Sequence, residues 1–411
     1  MKDFKMASIV NHNLFYSKNG MMASSHPLAS IIGLNIIEKG GSAIDAAIAA
    51  NAILSFLKPY ACGPGGDLAA LVWSNTSKES FSCIFPSGIP DSLKKESLLT
   101  RGLEEIPENG ALPLGVPGSI YGWHLLHKAF GKLPLPELFA PVIKYAFDGY
   151  PVSEETAIEW KPLEDKLMLW DASSKIFLRG DRTPNSGELF RNPCLAYFFQ
   201  LLSEKGLEHF YQGEISDLIL NVSSEYNGFL KKTDFIKYAS LGKLANLFPS
   251  MNPDNNMLFC LNMNKASENG VFISSVDKSK NAVTLVQTLN KPFGSGLVIE
   301  KYGFALGNPF AGLEISDIDR IHDRFFFPGV LYLLIDKSGR IEIGYNCERF
   351  NQTMQIGESY PHEGLFSFIL DDSGLEEFYN LNKSHFIQVN FQHGILKGIL
   401  HTSKEMSLIG Y

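Results

Sequence analysis

The order of local patterns along the chain predicts an α+β fold, with layers built around largely antiparallel sheets. Three observations predict it. The first half carries apolar residues at helical spacing, and the second half carries paired β-rich runs around turn residues. No strand–helix–strand alternation joins them. A chain of 411 residues with 45% hydrophobic content can bury a large core.

Taken in order, Ile31, Ile32, Leu34, Ile36 and Ile37 give a first helix that ends at Gly40-Gly41. Ser42 caps a second helix through Leu54, whose small residues suit tight packing between neighbours. Gly63-Pro64-Gly65-Gly66-Asp67 then reads as a tight turn before a strand at Leu68–Trp73. It is not a phosphate loop, because those precede a helix and carry Gly-Lys-Ser/Thr. Further helices are predicted at Ile120–Phe130, Leu135–Ala146, Arg191–Leu202, Glu214–Asn221 and Asp234–Tyr238, the last capped by Thr233. Residues from Ala239 to Asn269 read as an irregular surface connection.

The stretch that organises the rest is Gly270–Asn290. Two runs, Val271–Val276 and Ala282–Leu289, flank the polar turn Asp277–Asn281 and predict a β-hairpin covered on both faces. Leu297–Ile299 follows as a strand after the turn Lys291–Gly296. Val330–Ile335 with Ile341–Tyr345, and Phe386–Phe391 with Ile395–His401, predict two more hairpins.

Composition excludes some functions. The formal net charge is −8 and no basic cluster occurs, which argues against nucleic acid as a partner. No apolar run is long enough to span a bilayer. The first residues lack an apolar block after their basic start, so a cytoplasmic protein is expected. Cys62, Cys83, Cys194, Cys260 and Cys347 are widely spaced and form no CxxC pair, which reads as reduced thiols. His124 and His127, at i and i+3 of a helix, have metal-ligand spacing but no third ligand near in sequence. A solvated helix face is the expectation there, and no cofactor is expected.

Several segments together carry a family likeness: Ala23–Ser30, Gly40–Ala50, Gly63–Asp67, Val116–Gly118, Gly149–Ser153, Phe210–Gly213, Asp277 with Asn281–Val283, Gln287–Asn290, Phe293–Gly296 and Gly410-Tyr411. In this order and spacing the chain resembles the gamma-glutamyltransferase (glutathione hydrolase) family. The resemblance implies the N-terminal-nucleophile (Ntn) hydrolase fold, an αββα sandwich of two stacked sheets with helices outside. It also implies acyl transfer, in which the chain cuts itself and the freed N-terminal threonine attacks a gamma-glutamyl amide, with its own α-amino group as base.

Laid on that pattern without a gap, this chain has Gly270 at the nucleophile's place, and glycine has no hydroxyl. Val271 and Phe272 replace the next threonine and histidine. Thr288 and Asn290 match the family's supporting threonine and the asparagine near the bound amino acid, so both are expected ligand-side residues. The carboxylate-binding arginine falls in Pro86–Pro90, which holds none, and the ammonium-binding aspartate falls at Gly312. The oxyanion serine pair falls near Arg324-Phe325, and its glycine pair at Cys347-Glu348. A long family segment after Tyr238 is missing.

The expectation is one domain over 1–411, with residues 1–269 like the family's large subunit and 270–411 like its small one, uncut. Three functions compete. One is a catalytically silent member that binds a partner, such as an active relative or a second copy, with Phe325-Phe326-Phe327 as a candidate contact. Another is an amide hydrolase or gamma-glutamyl acyltransferase using Ser267, Ser274, Ser275, Cys62 or Cys347. The third is a binder of a gamma-glutamyl or amino-acid-like small molecule.

Overall fold

The computed structural model describes residues 13–240, 245–246, 256–262, 269–323, 330–336, 338, 340–346, 365–370, 385–390, 395–400 and 407–410. Its helices are α1 (Pro27–Glu38), α2 (Ala43–Leu57), α3 (Lys95–Leu99), α4 (Ser119–Phe130), α5 (Leu135–Asp148), α6 (Glu154–Trp160), α7 (Glu164–Met168), α8 (Asp171–Phe177), α9 (Pro193–Lys205), α10 (Glu214–Glu225) and α11 (Lys232–Ser240). Its strands are β1 (Asn13–Ser17), β2 (Met21–Ser24), β3 (Asp67–Ser74), β4 (Glu79–Phe85), β5 (Tyr150–Pro151), β6 (Leu189–Phe190), β7 (Ala245–Asn246), β8 (Asn256–Asn262) and β9 (Val271–Val276). They continue with β10 (Ala282–Thr288), β11 (Val298–Ile299), β12 (Phe304–Ala305), β13 (Val330–Ile335), β14 (Ile341–Asn346), β15 (Leu365–Leu370), β16 (His385–Asn390), β17 (Ile395–Leu400) and β18 (Ser407–Gly410).

Two sheets stack. One runs β18-β2-β9-β10-β3-β4-β7 and the other β1-β17-β16-β14-β13-β8-β15. Every described strand pair in them is antiparallel. The three predicted hairpins are present as β9–β10, β13–β14 and β16–β17. The first lies in the middle of its sheet, as its two-sided apolar pattern requires.

Alternation along the strands sets the layers. Leu68, Ala70 and Val72 of β3, Val271 and Ile273 of β9, and Val283 and Leu285 of β10 join α2 in one apolar core. The alternate residues face the second sheet, and Thr284 Oγ1 donates across the gap to Gly344 O at 3.3 Å. Helix α2 is buried along its whole length, which its run of alanines permits. Its N-terminus carries a full capping box, with Ser42 Oγ accepting from Asp45 N and Asp45 Oδ2 from Ser42 N.

Two expectations are corrected. The supposed connection between Ala239 and Asn269 contains β8, which lies between β13 and β15. Its run Met257-Leu258-Phe259-Cys260-Leu261 is apolar enough for a covered strand, but polar flanks hide it. Thr233 is not a cap, because α11 starts at Lys232 and the Asp234 carboxylate takes the Lys231 amide at 2.7 Å instead.

Candidate functional site

One end of the first sheet gathers the residues in question. There β9 and β3 begin and β10 and β4 end, so Gly270, Thr288, Asp67 and Ser87 come close in space from four separate stretches. Gly270 is half-buried and immediately precedes β9. Thr288 closes β10, and its hydroxyl donates to Asn269 O at 2.5 Å while accepting from Asn290 N at 2.8 Å. A threonine serves here because one hydroxyl can donate and accept at once. It fastens the backbone before Gly270 to the turn that follows β10.

Asn290 adopts a left-handed conformation, φ 72°, which asparagine tolerates. Its Nδ2 donates to Asn308 O at 2.7 Å, and Asn308 Oδ1 accepts from Lys291 N at 3.0 Å. Asn308 Nδ2 in turn reaches Glu108 O at 2.9 Å. Thr288 and Asn290 therefore lie together beside Gly270, and both bond to backbone partners.

The glycine-rich segment is a tight turn, closed by Gly66 N to Gly63 O at 3.1 Å. Gly66 is needed because a Cβ there would lie 2.2 Å from Thr288 O. Its own carbonyl accepts from Gly118 N and Ser119 N at the start of α4. The turn thus ties β3 to β10 and to the start of α4. Around it, Ala61 O accepts from Leu289 N, and Tyr60 O accepts from Asn269 Nδ2.

Sequence reasoning missed the Asp67–Ser87 pair. Asp67 is 5% exposed, and its Oδ1 accepts from Ser87 Oγ at 2.5 Å. Burial pushes its carboxyl up to about 7, against the pull of the Ser87 hydrogen bonds. The only available signal was an acidic residue opening an otherwise apolar strand. Nearby, His26 is buried and pushed down to about 4 by burial and by the Lys58 ammonium, which itself pairs with Glu155 at 3.1 Å.

The alternative nucleophiles among the described residues do not assemble. Ser274 lies four residues along β9 from Gly270, about 13 Å at the usual strand rise, and its hydroxyl meets Thr284 at 3.1 Å. Ser275 is one residue farther and belongs to the helix-side face. Cys62 follows Tyr60, whose carbonyl accepts from Asn269 Nδ2, by two residues, but burial pushes its thiol up, the opposite of an activated thiolate. Ser267, Cys347, Arg324-Phe325 and Phe325-Phe326-Phe327 lie outside the described residues. Gly312 is exposed, with its amide on Ile106 O at 2.8 Å.

The two histidines do not share a site. His124 Nε2 faces Glu208 at 3.4 Å, and His127 Nε2 meets Leu133 O at 2.8 Å. Both are partly buried rather than on a solvated face. Among the described residues no group of three His, Cys, Asp or Glu could hold a metal ion, and no helix is long and apolar enough to cross a membrane.

The sequence model of gamma-glutamyltranspeptidase matches residues 29–245 and 249–322, more than half of the chain. A glutathione hydrolase proenzyme of Bacillus subtilis (strain 168) is 28% identical over 225 residues, which are 54% of this chain and 38% of that protein. The glutathione hydrolase-like YwrD proenzyme of the same organism is 31% identical over 217 residues, 52% of this chain and 41% of that protein. The matches thus span less than half the length of these relatives. In structure, the cephalosporin acylase from Bacillus halodurans superposes with a TM-score of 0.75 over 100% of this chain and 99% of that one, at 21% identity. The fold is therefore that of the Ntn hydrolases, two stacked antiparallel sheets with helices on the outside, as expected. With its family pattern matched over most of its length and its fold matched throughout, the chain belongs to the gamma-glutamyltranspeptidase family.

Proposed function

We propose that this chain is a family member whose acyl-transfer site is dismantled and that it acts by binding. The observation that carries the reading is Gly270. It stands at the start of β9, where the family pattern puts its nucleophile, while Thr288 and Asn290 keep a complete hydrogen-bond network around it. A site that keeps Thr288 and Asn290 but has no hydroxyl at the reacting position cannot form an acyl-enzyme there. The relatives are named for hydrolysis of glutathione, which supports a gamma-glutamyl or amino-acid-like small molecule as the ligand class. An active relative or a second copy of this chain is the protein partner in the same reading. The free buried thiols Cys62 and Cys83 fit a reducing, cytoplasmic setting.

In this reading the chain remains uncut between 1–269 and 270–411. Mass spectrometry of the purified protein tests it. The expected result is one uncut polypeptide that gains no acyl group from a gamma-glutamyl anilide and releases no aniline. A break next to Asn269–Gly270, or a transferable adduct, would overturn the reading. Thermal-shift measurements with glutathione, glutamate and gamma-glutamyl peptides then test binding, with a raised melting point expected for at least one.

A further inference from the structure

Asp67 is unlike the other buried aspartates of this fold, of which Asp336 pairs with Arg340 at 2.9 Å and three more bind backbone amides. Asp45 takes the amides of Ser42, Lys132 and Leu133. Asp277 takes those of Ala43 and Asn281, and Asp234 those of Asp91 and Lys231. Each of these three joins separate pieces of backbone, which is what a structural carboxylate does. Among the described residues Asp67 is held by Ser87 alone.

Its position points to a ligand. Asp67 is the register partner of Thr288 across β3 and β10, and opposed residues of an antiparallel pair present their side chains on the same face. Because Leu68, Ala70 and Val72 face the helices, Asp67 and Thr288 face the space between the sheets. The group bonded to the carboxyl is Ser87, and the phenols of Tyr211 and Tyr238, which feel its charge, are kept protonated by burial. No lysine, arginine or histidine among the described residues acts on it. A buried carboxylate that meets no cation among the described residues is costly to ionise, and an arriving cation removes that cost.

We propose that Asp67 is the anionic anchor of this site and takes the ammonium of an amine-bearing ligand lying over Thr288 and Asn290. The proposal rests on the binding role argued above and names the charge that the ligand must carry. Ser87 is a positioning residue, because its hydroxyl fixes one carboxylate oxygen.

Calorimetry on the full chain at pH 8 tests it with two probes, L-glutamine and its desamino counterpart, 4-carbamoylbutanoate. L-glutamine should bind at least about tenfold tighter, and Asp67→Asn should abolish that preference. Carboxyl ¹³C NMR gives a second reading. The Asp67 titration midpoint should fall by about one unit or more with L-glutamine and stay put with the desamino probe, since a tenfold preference for the ionised form is one unit. If Asp67→Asn fails to fold, Ser87→Ala serves instead, because it keeps the carboxyl but should raise both its midpoint and the lower pH limit of L-glutamine binding. Equal affinity for the two probes, a preference that survives Asp67→Asn, or no binding of L-glutamine overturns the anchor. The function proposed above fails on a different readout, the appearance of a chain break or of acyl transfer.

Discussion

His26 and Asp67 are two buried titratable side chains at the same end of the sheet, and they should make stability respond to pH in opposite directions. The His26 Nδ1 accepts from Leu28 N at 3.1 Å, and the ring meets Tyr150 edge-on. Its folded value, about 4, lies below the 6.5 of a free imidazole, so folding favours the neutral ring. That contribution is complete above 6.5 and is lost as pH falls toward 4. The urea midpoint should therefore drop over that window, and His26→Asn, which keeps an acceptor for the cap, should flatten the drop. Asp67 behaves in reverse. Its folded value of about 7 exceeds the ordinary 3.8, so its contribution is complete below 3.8 and is lost as pH rises to 7. Without ligand, Asp67→Asn should match the parent near pH 4 and exceed it by a few kcal/mol at pH 8. Equal stability at both pH values would refute the buried-charge account. Residues such as Thr288 and Asn290 were legible because they stand in a recognisable run. Asp67 and Ser87 were not, because their pairing spans 20 residues and exists only once β3 and β4 lie side by side.

At the scale of elements, the sequence speaks most clearly where a local rule decides. Ser42 before an alanine-rich run marks the start of α2, and the capping box is there. Ser42→Ala should cost about 1 kcal/mol in urea unfolding. Asp45→Ala should cost more, roughly 3 kcal/mol, because its carboxylate also takes the amides of Lys132 and Leu133 after α4. If the two variants proved equal, the link from α2 to that loop would carry no weight. Gly66→Ala is a test of close approach rather than of capping. The added methyl would meet the Thr288 backbone carbonyl at 2.2 Å, so β3 and β10 would have to part, at a cost of about 2 kcal/mol or more. Hairpins were legible because turn residues and paired β-rich runs lie within one window. The strand β8 was not, because its partners β13 and β15 come from far along the chain and its own run is only seven residues. Helix α11 shows the finer limit: a carboxylate three residues in took the capping role assigned to Thr233.

At the scale of the whole molecule, neither sheet belongs to one half of the chain alone. Residues before Gly270 supply β2, β3, β4 and β7 to the first sheet, and residues after it supply β9, β10 and β18. The second sheet mixes β1 and β8 from the first part with β13, β14, β15, β16 and β17 from the other. The pairings β2–β9 and β10–β3 put strands of the later part between strands of the earlier one, with apolar residues on the helix-side face. A fragment ending at Asn269 would leave the edges of β2 and β3 unpaired and the face of α2 uncovered, a surface prone to aggregation. Because of this interleaving, two pieces that meet at this point would still share both sheets. It also yields a test. Residues 1–269 and 270–411 produced as separate polypeptides in one cell should copurify in a one-to-one complex that unfolds in a single transition. Produced singly, each should be insoluble or unfolded. Two independently soluble, cooperatively folding pieces would mean that each half has its own core, which the strand order of both sheets contradicts.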